Sequence, residues 1–234
     1  VEIGVVIPAA GVGKRMNSIT PKQFLELFGK PILIHTLEVF DEHPFITEIN
    51  VVTNQENVKQ VEKLIRKYNL KKVKQVVRGG KERQDSVYAG VVATQTEWVM
   101  VHDAVRAFVT AAEISALIRA VNDQQLAATL AVPIKDTIKR VNHAKIVVET
   151  LEREQLWSIQ TPQLFHRKIL LDAHQYAEEQ NLVGTDDAML VENLSIPVKV
   201  VEGAYTNLKI TTPEDILLGE TILAKRMKGS EQTT

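Results

Sequence analysis

The sequence predicts an α/β protein, a doubly wound and mostly parallel sheet from which a β-hairpin projects. Two observations predict the sheet. Short β-branched runs alternate with longer amphipathic stretches from residue 3 to residue 132, and most runs are closed by proline, glycine or a capping side chain. Such alternation implies parallel pairing through right-handed crossovers. A third observation predicts the hairpin. Beyond Pro133 the pattern becomes two runs of alternating polar and β-branched residues on either side of Asn142-His143-Ala144.

Residues 3–7 are the first strand, closed by Pro8. Residues 31–40 are a helix with Pro31 in its first turn. Residues 46–53 are the second strand, and Asn54 can cap the helix that ends near Tyr68. Residues 73–77 are the third strand, stopped by Gly79-Gly80, and residues 83–93 are helical. A fourth strand at 98–102, a helix at 111–121 and a fifth strand at 127–132 follow, the last halted by Pro133. The hairpin occupies residues 137–151. Alone it buries little, so it projects, and projecting hairpins often pair with another subunit. Helices are expected at 167–179 and 186–193, strands at 198–201 and Lys209-Ile210, and a last helix at 214–227 opened by Thr212-Pro213-Glu214-Asp215. The expected organisation is one domain over residues 1–228, an arm at about 137–153 and a disordered tail at 229–234.

Composition narrows the function. The chain has 234 residues, 44% hydrophobic and 24% charged, enough for one sizeable core. Lys and Arg number 28 against 29 Asp and Glu, so no bulk field draws the chain onto nucleic acid or anionic lipid. An aromatic content of 5% also disfavours a nucleic-acid partner. Anion binding must come from local basic clusters. The absence of cysteine excludes a disulfide scaffold, a thiolate metal site and a cysteine nucleophile, and fits a cytoplasmic location. No apolar run approaches the ~20 residues that span a bilayer, and the N-terminus lacks the features of a signal peptide. No membrane partner is expected.

The most informative segment is Pro8-Ala9-Ala10-Gly11-Val12-Gly13-Lys14-Arg15-Met16, followed by Pro21-Lys22-Gln23-Phe24. It leaves the end of the first strand, where ligands of open α/β sheets bind. Small residues at Ala9, Ala10, Gly11 and Gly13 let backbone N–H groups approach an anion. Lys14, Arg15 and Lys22 add three cations nearby. A P-loop would need Ser or Thr after Gly13-Lys14, where Arg15 stands. A dinucleotide fingerprint would need Gly or Ala where Met16 stands. By itself the loop reads equally as a phosphate cradle and as a tight turn with solvated basic side chains.

The full string carries more. Pro8-Ala9-Ala10-Gly11-x-Gly13-x-Arg15-Met16, Pro21-Lys22-Gln23-Phe24-Leu25 and Gly29-Lys30-Pro31-Ile32 resemble the signature of sugar-nucleotide-type nucleotidyltransferases. Five more blocks occur in order: Gly79-Gly80-x-Glu82-Arg83-x-Asp85-Ser86-Val87, His102-Asp103-Ala104-x-Arg106, Val132-Pro133-x-Lys135-Asp136-Thr137-Ile138-Lys139, Thr161-Pro162-Gln163 and Asn207-x-Lys209-x-Thr211. Together they span most of the chain and resemble the 2-C-methyl-D-erythritol 4-phosphate cytidylyltransferases of non-mevalonate isoprenoid synthesis. The resemblance implies a Rossmann-like sheet of the nucleotide-diphospho-sugar transferase type. It implies transfer of CMP from CTP to the sugar-alcohol phosphate with Mg²⁺ and release of pyrophosphate, in a homodimer whose β-arms reach into each other's active sites.

The implied chemistry brings together two anions, a substrate phosphate and the α-phosphate of CTP. Positive charge and alignment matter more than a protein nucleophile. By resemblance, Arg15 and Lys22 stabilise the pentacoordinate α-phosphate. Arg153 and Lys209 also belong to the catalytic set, Arg153 serving the partner's site and Lys209 gripping the acceptor phosphate. Ala9, Ala10, Gly11, Gly13, Gly80, Lys81 and Ser86 would bind the nucleotide. Asp103, Arg106, Thr137 and Thr161 would position the acceptor, and Asp103 is also the candidate ligand for Mg²⁺. Taken singly, each has a plainer reading: surface ion pairs for Arg15 and Lys22, a strand-end cap for Asp103, a helix-surface hydroxyl for Ser86. His102 reads as a packed, hydrogen-bonded residue. Two positions depart from the family: Lys81, where many members carry an acid, and Ala107, where proline is usual.

The nearest rival is ribitol-5-phosphate cytidylyltransferase, which often has glycine where Ala10 stands. A hexose-1-phosphate nucleotidyltransferase using another base and a non-catalytic nucleotide-binding module are the others. The presence of Arg15, Lys22, Asp103, Arg153 and Lys209 together opposes the last.

Overall fold

A computed structural model of the protein describes residues 2–11 and 20–231. Gly13 and Arg15, like the rest of 12–19, lie outside the described residues.

The chain begins with β1 (Ile3–Pro8), buried along nearly its whole length. Beyond a one-turn 3₁₀ segment at Lys22–Phe24, the two-residue strands β2 (Glu26–Leu27) and β3 (Lys30–Pro31) pair antiparallel. Their turn places Phe28 and Gly29 at φ of 49° and 72°, the left-handed region that suits Gly29. Pro31 is the N-cap of α1 (Ile32–Glu42) rather than a residue of its first turn. Then come β4 (Ile46–Thr53), α2 (Val58–Lys67), β5 (Val73–Arg78), α3 (Arg83–Ala93), β6 (Trp98–Val101), α4 (Ala111–Arg119) and β7 (Ala127–Pro133). The ends of α4 show why it starts where it does. Glu113 accepts from Thr110 N at 2.9 Å while Thr110 Oγ1 accepts from Glu113 N at 3.2 Å, a reciprocal cap.

The hairpin is present as β8 (Lys139–Val141) and β9 (Val147–Thr150), a separate antiparallel pair in which every residue is exposed. The sequence reading omitted the next element. β10 (Trp157–His166) is a ten-residue strand, followed by α5 (Arg167–Glu179), α6 (Asp187–Glu192), β11 (Lys199–Glu202) and α7 (Pro213–Glu231). One expectation needs correction. Lys209 and Ile210 are not a strand; that segment is irregular, tied by Ile210 N to Val105 O at 2.9 Å. The last helix runs to Glu231, and residues 232–234 lie outside the described residues.

The main sheet has seven strands in the order β11-β7-β10-β6-β1-β4-β5. All pairs are parallel except those of β10, which runs antiparallel to both β6 and β7. Period-two alternation sends Val5, Ile7, Ile49, Val51 and Met100 to one face, where they pack with Leu33, Leu37 and Phe40 of α1, Val61 of α2 and Leu117 of α4. Val6, Val52, Val99 and Val101 face the other side with Val87 and Val91 of α3, Leu170 and Ala173 of α5 and Leu190 of α6. Both faces are covered, so the parallel strands are apolar on both sides. A third cluster joins Val105, Ala107 and Phe108 to Ile210 and, through Ile216, Ile222 and Leu223, to α7. After β1 the chain moves outward to β4 and β5, then returns across to β6 on the opposite side. The carboxyl ends of β1 and β6 therefore flank the switch point at which such sheets bind ligands. Among the described residues no helix is long and apolar enough to cross a membrane.

Candidate active site

Residues following β1 form one wall of the site. Ala9 O accepts from Gln23 Nε2 at 2.7 Å and from Thr53 Oγ1 at 3.3 Å, and Ala10 O accepts from Asn54 Nδ2 at 2.9 Å. These carbonyls, which would repel a phosphate, are turned into the protein. Asn54 was expected to cap a helix. It makes no side-chain cap and holds this loop instead. The start of α3 forms the facing wall. A Cβ at Gly80 would collide with Asp85 Cβ, so the chain there turns closer to the helix than any other residue allows. Ser86 is buried, and its hydroxyl donates to Glu82 O at 3.1 Å, as an ordinary helix hydroxyl would.

The floor is the end of β6. Asp103 is nearly buried and surrounded by cations: Lys209 Nζ at 2.8 Å, Arg83 Nε at 3.4 Å and Arg106 Nε at 3.7 Å. Burial alone would raise its pKa, but Arg83, Lys209 and Arg106 hold the carboxyl well below the usual carboxylate range. Arg83 also reaches Asp187 Oδ2 at 2.9 Å. Although burial opposes its charge, Asp187 and Asp103 keep the guanidinium firmly protonated.

Two clefts open from this floor. The first is lined by Ala9, Ala10, Gly11, Lys22, Gly80, Lys81, Ser86, Asp103 and Lys209 among the expected residues, and by Gln23, Asn54 and Arg83 among those not expected. The second lies over β10 and β7 toward α6, lined by Asp103, Arg106, Thr161 and Lys209 of the expected set and by Gln160, Gln163 and Thr185 besides. Arg83, Asp103 and Lys209 belong to both. Thr161 owes its place to an irregularity in β10, whose register with β7 shifts between Ile159 and Gln163. Thr137 and Arg153 line neither cleft. Both are exposed at the base of the hairpin, where Arg153 Nη1 donates to Lys135 O at 2.9 Å.

A family model described as 2-C-methyl-D-erythritol 4-phosphate cytidylyltransferase matches residues 3–225. The chain belongs to that family. Like its fellow cytidylyltransferases it is an enzyme, a nucleotidyltransferase. It is 49% identical over 226 residues to the enzyme of that name from Halalkalibacterium halodurans, covering 96% of this chain and 98% of the relative. The enzyme of that name from Clostridium botulinum strain Langeland is 48% identical over 223 residues, covering 94% and 97%. Among solved structures, a 4-diphosphocytidyl-2C-methyl-D-erythritol synthase from Anaerococcus prevotii superposes with a TM-score of 0.84 at 31% identity, covering 95% of this chain and 96% of that one. The Francisella tularensis cytidylyltransferase gives 0.79 at 34% identity, covering 95% and 100%.

Within this cytidylyltransferase, Arg83 is the residue that sequence reasoning passed over. It stands inside a recognised block, yet a charged residue opening a helix looks like a solvated one. Only the fold brings it to Asp103 and Asp187. Asn54 and Gln160 were missed because a lone amide in a loop or strand carries no pattern, and Gln163 stood inside a recognised block with no role of its own.

Proposed function

We propose that the two clefts hold the two substrates of one cytidylyl transfer: CTP in the first and 2-C-methyl-D-erythritol 4-phosphate in the second. The products are 4-diphosphocytidyl-2-C-methyl-D-erythritol and pyrophosphate. The observation that carries this reading is that the clefts meet at Asp103 and Lys209 in a chain of this family. Two phosphates delivered from opposite sides would be brought together there.

An oxygen of the acceptor phosphate attacks the α-phosphorus of CTP. A new P–O bond forms as the bond to the β-phosphate breaks, and the electron pair leaves on pyrophosphate. The acceptor phosphate is already ionised near neutral pH, so no general base is required. Lys22 and Arg15 stabilise the charge that gathers on the α-phosphate, Lys as a point charge and Arg as a planar fork. Lys209 and Arg106 draw in the acceptor phosphate. Asp103 holds both cations in place through its two ion pairs, so they need not reorganise as the transition state forms.

Mg²⁺ fits as an ion that the triphosphate carries in. Among the described residues no group of three His, Cys, Asp or Glu side chains could cage a metal. Asp103, the candidate ligand, is engaged by three cations. Mg²⁺ is commonly held by substrate phosphates, water and at most one or two carboxylates. Bound in that way it supplies charge neutralisation on the phosphate oxygens.

Thr137 and Arg153 serve the site of a second copy in a homodimer. Val141, Ile146, Val147 and Val148 of the arm are more than half exposed, and a two-stranded ribbon so apolar needs a covering surface. One assay tests the reading: CTP, Mg²⁺ and either methylerythritol phosphate or ribitol 5-phosphate, followed by pyrophosphate release. Release with the first acceptor and little with the second is expected. Preference for ribitol 5-phosphate would assign the other activity.

A further inference from the structure

The arm joins the body through two legs, residues 134–138 going out from β7 and 151–156 coming back to β10. Every residue of β8 and β9 is exposed, so burial against its own chain does not hold the ribbon at one angle. The legs do. Ile134 N donates to Leu156 O at 3.0 Å, Leu151 N to Ile138 O at 3.1 Å and Arg153 Nη1 to Lys135 O at 2.9 Å. Tyr205 then grips the outgoing leg from the body. Its hydroxyl donates to Pro133 O at 2.7 Å, and Lys135 Nζ stands 3.6 Å from the centre of its ring. A cation over a tyrosine face is attracted by the ring quadrupole. The mount of Tyr205 is itself fixed. On the turn after β11, Gly203 N donates to Ala131 O at 2.9 Å, Ala204 N to Glu113 Oε1 at 2.8 Å and Asn207 Nδ2 to Thr161 O at 2.9 Å.

We infer that Tyr205 and Lys135 form a clamp that sets the angle of the arm, so that Tyr205 is a positioning residue for the active site of the second copy and not for its own. The inference rests on the reading in which Thr137 and Arg153 serve that second copy. Position alone argues the reverse. The turn that carries Tyr205 also receives Gln160 Nε2 at Ala204 O, 3.0 Å away, and Gln160 and Thr161 line the second cleft of the same chain. Yet neither Tyr205 nor Lys135 lines either cleft. The ring and the hydroxyl of Tyr205 both engage the leg whose Lys135 carbonyl holds Arg153. Thr137 and Arg153 stand beyond that grip, so a small rotation at Pro133 moves both of them together. Misplacing a group at a reacting centre by about 1 Å can cost about 10²-fold in rate.

Two measurements test this. The first is proton NMR of the intact enzyme. The ring current of Tyr205 should move the ε-methylene protons of Lys135 upfield, and Tyr205→Leu should return them to the ordinary lysine position. No upfield shift in the unaltered enzyme would overturn the clamp whatever the activity. The second is activity in mixed dimers. Tyr205→Leu should lower kcat/KM for the acceptor by about tenfold, Lys135→Met should do the same, and Lys135→Arg, which keeps a cation over the ring, should stay near full activity. Normal activity in Tyr205→Leu would overturn the inference. A damaged arm spoils only the partner's site. Mixing Tyr205→Leu with Arg15→Met subunits should therefore create one intact site per hybrid and restore about a quarter of full activity on random reassortment. Mixing Tyr205→Leu with Arg153→Ala should give no more than the average of the two variants, because both carry damaged arms. The reverse pattern would assign Tyr205 to its own cleft, and recovery in neither pairing would make its role one of general stability; each overturns the inference. If Tyr205→Leu does not fold, Lys135→Met takes its place in both mixtures. The Arg15→Met and Arg153→Ala pair is the reference. Its failure to recover would sink the partner-site reading, and the inference with it, while the NMR result stands, so the two failures are distinguishable.

Discussion

Lys209 Nζ lies 2.8 Å from Asp103 Oδ2, and this pair is part of the wall common to both clefts. One residue comes from the end of the central strand β6 and the other from an irregular segment more than a hundred positions later. Their meeting makes one site of two cavities.

Removing the carboxylate should be costly. Asp103→Asn leaves Arg83, Arg106 and Lys209 facing one another, and breaking a largely buried ion cluster costs about 3–5 kcal/mol. Because folding depresses the Asp103 pKa, its stabilisation is present above the unfolded value near 4 and lost as pH falls through the folded one. Urea unfolding should therefore show a gap between unaltered enzyme and variant that is constant at neutral pH and narrows below about pH 4. A gap that does not change with pH would remove the charge argument.

Lys22→Ala and Arg15→Met should each lower turnover by roughly 10²–10³, the usual cost of a lost preorganised donor, with an unaltered circular dichroism spectrum. Steady-state rates with CTP and Mg²⁺ measure this. Near-normal turnover in either would take that residue out of the mechanism.

Arg153 supports a different test, since it stands at the base of the arm and lines neither of its own clefts. If it serves a partner, mixing Arg15→Met with Arg153→Ala subunits gives hybrid dimers with one intact site. Random reassortment predicts recovery to about a quarter of full activity. Absence of recovery after proven subunit exchange would place Arg153 outside the partner's site.

Gly90 lies where α3 crosses the sheet, and a Cβ there would strike Val6 Cγ1 and come within 2.8 Å of Val52 Cγ2. Gly90→Ala should destabilise by about 1–3 kcal/mol through overpacking. It should also raise the KM for CTP, because α3 carries the residues of the facing wall. Calorimetric unfolding together with nucleotide titration checks both.

Much of this was legible before any coordinates. The strands β1, β4, β6 and β7 are apolar runs between strong breakers, and the glycine-containing segment that begins at Ala9 follows β1 directly. What was hidden has a common cause. β10 contains Gln160-Thr161-Pro162-Gln163, which reads as a loop because proline and polar side chains are rare in central strands. In the fold these groups are answered from afar: Gln163 Nε2 reaches Asp186 Oδ2 at 2.7 Å, and Gln163 Oε1 receives Ala188 N at 3.0 Å. Arg83 was concealed in the same way, since Asp187 lies 104 positions on. Local pattern reports burial of apolar groups well and says nothing about distant partners for polar ones.

The antiparallel strand also bears on how the chain assembles. β10 separates β6 from β7, yet it emerges from the ribosome after both of them. Until it arrives β6 has an open edge, and β7 has no partner at all, because its other neighbour β11 comes later still. Two strands made after β7 therefore join it to the rest of the sheet.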